Sequence, residues 1–422
     1  MTMSYSEQMI EAIQNEELDK ADDLMHEALM KDSDDDLFAL VETLYDLGFL
    51  KETKEVVQHL LALHPEEEGL KLTLAEIALE EGHELESFEW FDQIDQDSPF
   101  YPQSLLVAAD YYQVLDLPEV AKEKLKEAKE LLPDEPVIDF ALGELLFSAG
   151  NYKEAIVHYE KLIVTNHVEF AGVSLNGRLG NAYAAIGDLE SAVNYLEEAV
   201  DLKETSDLLF QLGLIYFQKE EFDRSANLFM QVKEQDPSYS SVYSYLAKGF
   251  MEQQDFKQAL ENVEDGLVYD KHNAGLYAMG AEAALSLGDE TKAEAYYREA
   301  LIIEPDTISV TLAFTHLLFN QERFEDALTV IIPRIDSGEE DPQLLWYAAI
   351  ANNEEEAFED AREFYDKAAI YLSDNAEFLK DYAIFLREDG DKEGFMNTAK
   401  SYLRLNPNDD EVNEWIKYED GL

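Results

Sequence analysis

Apolar and small residues return along this chain at an interval far longer than a helical turn. The set Leu179-Gly180-x-x-Tyr183, Gly187 and Ala192-x-x-x-Leu196-x-x-Ala199 comes back as Leu212-Gly213-x-x-Tyr216, Phe222 and Ser225-x-x-x-Phe229, closed by Pro237. Upstream the same positions hold Leu142-Gly143-x-x-Leu146, Gly150, Tyr152 and Ala155-x-x-x-Tyr159. Downstream they hold Gly288, Ala293-x-x-x-Tyr297-x-x-Ala300 and Pro305. The interval is 33 or 34 residues once a three-residue insertion at Phe170 to Gly172 is allowed for. A fixed period of this size predicts one supersecondary unit copied in series, each copy burying its apolar face against its neighbours.

These residues resemble the tetratricopeptide repeat, a helix–turn–helix of about 34 residues with the pattern W-x2-L-G-x2-Y, A-x3-F, P. The resemblance implies an all-α, right-handed superhelical tetratricopeptide repeat (TPR) solenoid of about twelve helix–turn–helix repeats plus a C-terminal capping helix. Units are expected to start near Thr2, Asp34, Glu68, Pro102, Pro136, Val173, Ser206, Ser240, Ala274, Ile308, Pro342 and Ala376, with the last helix from about Asp410 to Tyr418. They group into arrays over 1–172, 173–341 and 342–422. Length and acidity further resemble the bacterial YpiA-type tetratricopeptide proteins, a resemblance that brings no defined activity with it.

Proline tests the register, because it lacks an N–H and is tolerated at a helix's first turn or beyond its end. Pro65, Pro99, Pro133, Pro237, Pro305 and Pro407 fall just after the second helix of their units. Pro102, Pro136 and Pro342 open first helices and Pro118 opens a second one. Pro333 alone lies inside an expected helix, which predicts an early stop, an irregular Ile332 to Asp341 and a candidate hinge over 333–341. Gly48, Gly82, Gly150, Gly187, Gly288 and Gly390 occupy the turn inside each hairpin, where a left-handed conformation costs glycine little. Ala155, Ala192, Ala259, Ala293, Ala327 and Ala361 are expected where paired helices cross, with Tyr159, Phe229, Tyr297 and Tyr365 as core knobs four residues later.

Charge narrows the function. Among 422 residues, 31 Lys and Arg face 93 Asp and Glu, a formal charge of −62. A nucleic-acid binder needs a basic face, so nucleic acid is not an expected partner. Hydrophobic residues at 46% are too many for a disordered acidic tail. With no cysteine, disulfides, thiolate catalysis and cysteine zinc sites are excluded. The first 20 residues carry five acids and no apolar core of a signal peptide, and no apolar run reaches the roughly 18 residues of a membrane span. A cytoplasmic protein with no direct membrane insertion is expected.

No chemistry stands out. Carboxylate pairs among 93 acids are unavoidable and carry no catalytic meaning by themselves. Asp32-Ser33-Asp34-Asp35-Asp36 opens like a calcium loop, but Leu37 holds the place of the required glycine and Thr43 that of the final glutamate. A helix N-cap cluster is expected there instead. The histidines form no H-E-x-x-H pair, and neither a Walker sequence, a dinucleotide fingerprint nor a serine elbow is present. No catalytic residue, cofactor or metal ligand is therefore expected, and the protein is read as non-enzymatic.

Recognition remains. In tetratricopeptide arrays the concave surface is lined by positions 2, 5, 9, 12 and 13 of each first helix, and the resemblance implies the same here. The expected partner-binding residues are Phe38, Glu42, Tyr45, Glu76, Asp110, Phe140, Glu144, Phe147, Asn181, Phe210 and Phe217. Leu72 and Leu79 join them in the third unit, while Lys248, Phe319, Trp346, Glu354, Lys380 and Arg387 belong to later ones. Acids interleaved with apolar side chains suit a protein or peptide with basic and apolar side chains. The chaperone-tail clamp of Lys, Asn and Arg is discounted, since its positions read Phe140, Glu144 and Asn181. The alternative expectation is a regulatory protein or enzyme accessory subunit that binds a small ligand or divalent cation.

Overall fold

Helical hairpins follow one another in the computed structural model, which describes residues 3–338 and 341–420. In the first compact unit, Met1–Glu204, α1 (Tyr5–Gln14) pairs with α2 (Leu18–Lys31), α3 (Asp34–Asp46) with α4 (Leu50–Leu63), and α5 (Glu68–Glu80) with α6 (Glu84–Phe91). Next come α7 (Tyr101–Val114) with α8 (Pro118–Leu131), α9 (Pro136–Ser148) with α10 (Tyr152–Val164), and α11 (Leu175–Ala185) with α12 (Leu189–Leu202). The second unit, Thr205–Leu422, pairs α13 (Ser206–Gln218) with α14 (Phe222–Gln235), α15 (Ser241–Glu252) with α16 (Phe256–Tyr269), and α17 (Ala274–Ser286) with α18 (Glu290–Ile303). It continues with α19 (Ile308–Asn320) and α20 (Phe324–Asp336), α21 (Pro342–Glu354) and α22 (Phe358–Ala369), and α23 (Ala376–Glu388) and α24 (Lys392–Leu405). α25 (Asp410–Asp420) packs on α24. Within each unit, first helices also touch one another, as α1 does α3 and α5 does α7, or α15 does α17, and this gives them a shared face.

The expected starts at Asp34, Glu68, Pro136, Ser206, Ala274, Ile308, Pro342 and Ala376 are the first residues of their helices. The acidic run after Lys31 is a double cap. Ser33 accepts from the Asp36 N–H to close a capping box on α3, while Asp32 accepts from the Tyr5 and Ser6 N–H groups that begin α1. Inside the hairpins, Ala155, Ala192, Ala259, Ala293, Ala327 and Ala361 are fully buried, as are Tyr159 and Phe229. A Cβ on Gly143 would lie 2.6 Å from the Tyr159 ring, and one on Gly213 would lie 2.6 Å from Phe229, so a bare helix surface is what lets the aromatic knob seat. Where Ser225 replaces the usual alanine, its hydroxyl donates to the Gly213 carbonyl at 2.9 Å.

The early stop expected at Pro333 needs correction. α20 runs through Pro333 to Asp336, because a proline in the last turn forfeits only one hydrogen bond, and the Ser337 N–H still donates to the Pro333 carbonyl at 3.2 Å. Residues 339–340 of the expected irregular stretch lie outside the described residues. The insertion at Phe170 to Gly172 forms a small antiparallel hairpin, β1 (Glu169–Phe170) against β2 (Val173–Ser174). Its tip, Ala171 and Gly172, has φ of 47° and 80°, as a two-residue hairpin turn of the required twist demands.

Every hairpin turn puts one residue in the left-handed region, and the six expected glycines do so. The other six turns use Glu16, Asp116, Glu220, Gln254, Glu322 and Glu356, with φ between 55° and 61°. An L-residue there costs about 1–2 kcal/mol, part of which glycine gives back in chain entropy. Changing Glu220, Gln254, Glu322 and Glu356 together to Gly is therefore expected to raise stability by about 0.5 kcal/mol per site. A urea midpoint that stays put or falls would show that these turns are relaxed.

Among the described residues of the first unit, one carboxylate is buried. Asp139, 2% exposed on α9, accepts from Lys129 Nζ on α8 at 2.7 Å and from His158 Nδ1 on α10 at 3.0 Å. Lys161 Nζ, also on α10, stands 2.8 Å away. Burial alone would raise its pKa, but the hydrogen bonds from Lys129, Lys161 and His158 together hold it below the ordinary aspartate value.

Candidate functional site

The first-helix face of the first unit holds a cavity of about 310 Å³ between α3, α5 and the start of α7. Phe38 and Glu42 come from α3, Leu70 and Glu76 from α5, and Phe100 and Gln103 from the third hairpin's exit and α7. Phe100 reaches over α5 because residue 69 is glycine: a Cβ there would stand 3.0 Å from the ring. Glu76 is half-buried, and its carboxyl is pushed up to about 7, by burial first and the charge of Glu80 second, against a hydrogen bond to Gln103. Tyr45 donates to Glu80 at 3.0 Å, and burial, then the charge of Glu76, push its hydroxyl well above the usual phenol range.

Carboxylates form a column on this face. Glu42, Glu76, Asp110 and Glu144 lie 34 residues apart in turn, one on each of α3, α5, α7 and α9. Among the described residues, Glu42, Glu76 and Asp110 have no ion-pair partner. Glu144 does: Arg178 on α11 donates from Nε at 2.8 Å and Nη2 at 2.7 Å, and the Tyr159 hydroxyl adds a third bond at 2.6 Å. The same guanidinium lies over the Phe147 ring, 5.4 Å from its centroid. The face thus changes from uncompensated to neutralised acid along the first unit.

Of the residues expected to bind, Phe38, Glu42 and Glu76 meet at the cavity, with Tyr45 tied to it through Glu80. Asp110 is exposed on the same face. Leu72 also lines the cavity, although it is only 3% exposed. Phe140 is half-buried and stacked on Phe170 of the β-hairpin, centroids 4.8 Å apart, while Phe147 meets Tyr152 edge-on. Asn181 lies half-buried on α11. In the second unit Phe210 packs among Phe229, Tyr239 and Tyr245, and Phe217 meets Phe222 and Tyr245 with Lys248 Nζ over its ring at 5.7 Å. Trp346 donates to the half-buried Asp381 at 2.7 Å. Four contributors were missed. Gln103 sits at the second position of its unit, which the repeat pattern marks as inward, whereas Phe100, Phe170 and Arg178 follow from a loop and an insertion that no period encodes.

Comparison with known proteins places this geometry in a family. The descriptions "YpiA-like, tetratricopeptide repeats" and "YpiA-like, C-terminal tetratricopeptide repeats" match residues 113–167 and 342–409, and general tetratricopeptide repeats match 173–206, 206–239 and 246–306. The TPR repeat-containing protein YpiA of Bacillus subtilis is 30% identical over 410 residues, covering 97% of each chain. The chain belongs to the YpiA-like tetratricopeptide repeat family. Among solved structures, the C-terminal part of a TPR repeat-containing protein from Cytophaga hutchinsonii is 16% identical with a TM-score of 0.46, covering 65% of this chain and 98% of that one. The Cut9–Hcn1 hetero-tetramer structure is 11% identical with a TM-score of 0.39, covering 99% and 96%. In this YpiA-like protein no described helix is long and apolar enough to cross a membrane, and no described group of three or more His, Asp or Glu is arranged to hold a metal ion.

Proposed function

We propose that this YpiA-like repeat protein is a non-enzymatic cytoplasmic scaffold that holds a basic, partly apolar segment of a partner protein on the first-helix face of its first unit. The observation that supports the reading most is the Glu76 cavity, where carboxylates with no cation of their own stand beside the rings of Phe38 and Phe100. An incoming cation gains from that field, and its apolar neighbours gain by covering half-buried aromatic surface. Phe140, Glu144 and Phe147, already engaged by Phe170 and Arg178, extend the face as a flank of lower charge.

The reading predicts steering by charge. Proteins retained on the immobilised chain from a native bacterial extract are expected to be basic, and their affinity is expected to fall by at least about tenfold between 50 and 500 mM salt. The triple change Phe38→Leu, Glu42→Gln and Glu76→Gln is expected to release them. Retention that ignores both salt and the triple change would place the partner surface elsewhere.

A further inference from the structure

We infer that the cavity between α3, α5 and α7 is the seat of one arginine side chain of the partner segment. The inference rests on the groove reading above and specifies its anchor.

Size comes first. Sites for small molecules span about 300–1,000 Å³, and a cavity of about 310 Å³ lies at the bottom of that range, room for a side chain and little more. Chemistry comes next. Glu76 offers a half-buried carboxylate, Glu42 a second at the rim, and Gln103 a neutral amide, while Phe38 and Phe100 offer ring faces. A lysine ammonium is compact and strongly hydrated. A guanidinium is planar and weakly hydrated, stacks on aromatic rings, and spans two acceptors at once. The cavity supplies each of those complements.

The chain itself displays the arrangement two steps down the same column. At Glu144 the acid is met by Arg178, bidentate and laid over an aromatic ring, because the following hairpin delivers the arginine. Glu76 has no such cation among the described residues, so a guanidinium there has to come from outside the chain.

The test uses the full-length protein and two labelled octapeptides, one alternating Arg and Leu and the other Lys and Leu, titrated by fluorescence anisotropy. The arginine peptide is expected to bind about fivefold or more tighter. Glu76→Gln is expected to weaken the arginine peptide about tenfold and to erase the difference between peptides. Phe38→Leu, which keeps the packing but removes the ring face, is expected to narrow that difference. Glu55→Gln, exposed on α4, is expected to change neither affinity. Salt-sensitive binding of both peptides that Glu76→Gln leaves intact overturns the arginine seat while the groove reading stands. Failure of both peptides to bind overturns the two together. Glu76→Gln is isosteric, and its helical circular dichroism spectrum verifies the fold before titration.

Discussion

Asp139→Asn is expected to destabilise the first unit by about 3 kcal/mol at pH 7, the cost of breaking a buried ion pair from one side. The carboxylate is nearly inaccessible, and its removal leaves Lys129 and Lys161 close together with no anion between them. Lys161 is half-exposed and can swing toward water, which keeps the cost from rising further. Its pH dependence has a definite sign. A carboxyl held below its ordinary value contributes stability that is present above about pH 4 and is lost as the pH falls through the depressed folded value. The gap between native protein and variant should therefore be full at pH 7 and shrink in strongly acid solution. Urea unfolding at both pH values, followed by hydrogen exchange across α8, α9 and α10, measures it. A variant as stable as the native chain at pH 7 would mean that Lys129, Lys161 and His158 find water as readily as they find Asp139. Replacing both Asp139 and Lys129 by apolar residues of similar volume should recover part of the loss, since the pair carries its own desolvation cost.

That network shows where sequence reading stops. Helix starts were legible because each unit repeats Gly, Ala and aromatic residues at fixed places, and those places are set by contact: Gly143 is bare so that Tyr159 can seat, and Gly213 so that Phe229 can. Turns were legible where glycine marked them and silent where Glu220, Gln254, Glu322 and Glu356 adopt the same backbone at some strain. Phe38, Glu42 and Glu76 could be placed on one face from repeat register alone. Arg178 could not, since a three-residue insertion shifts it relative to the pattern, and only the folded hairpin brings it to Glu144. Asp139 is one acid among 93 and carries no periodic mark. Periodicity reports what every unit shares, and the features that distinguish one unit from the next are single side chains whose partners lie a full repeat away.

Glu76→Gln is expected to stabilise the protein, and only at neutral and alkaline pH. The native carboxyl titrates near 7 instead of 4.5, so the fold favours its protonated form. Stability from that protonated form is complete below about pH 4.5 and is lost as pH rises through 7. With 1.36 kcal/mol per unit of pKa, the ionised form costs about 3 kcal/mol above pH 8. Glutamine stays neutral and escapes this cost. Native protein and variant should then unfold together at pH 4 and diverge through pH 7, the variant being more stable by up to about 3 kcal/mol at pH 8. Of the other groups facing the site, Glu42 on α3 and His64 beside Phe38 are common to both proteins, the charge of Glu80 on α5 is part of the cost that glutamine escapes, and the Tyr45 hydroxyl on α3, raised mainly by burial, stays protonated at pH 8 in both. A variant less stable at pH 8 would make the carboxylate a structural acceptor and remove the reason to assign it a cation. The expected sign has a consequence for function. A side chain that weakens the free protein at working pH, in a cavity where no described base reaches it, is compensated only when something positive arrives. The arginine peptide should accordingly stabilise the native chain at pH 8 more than it stabilises Glu76→Gln, and equal stabilisation of the two would separate the carboxylate's cost from binding altogether.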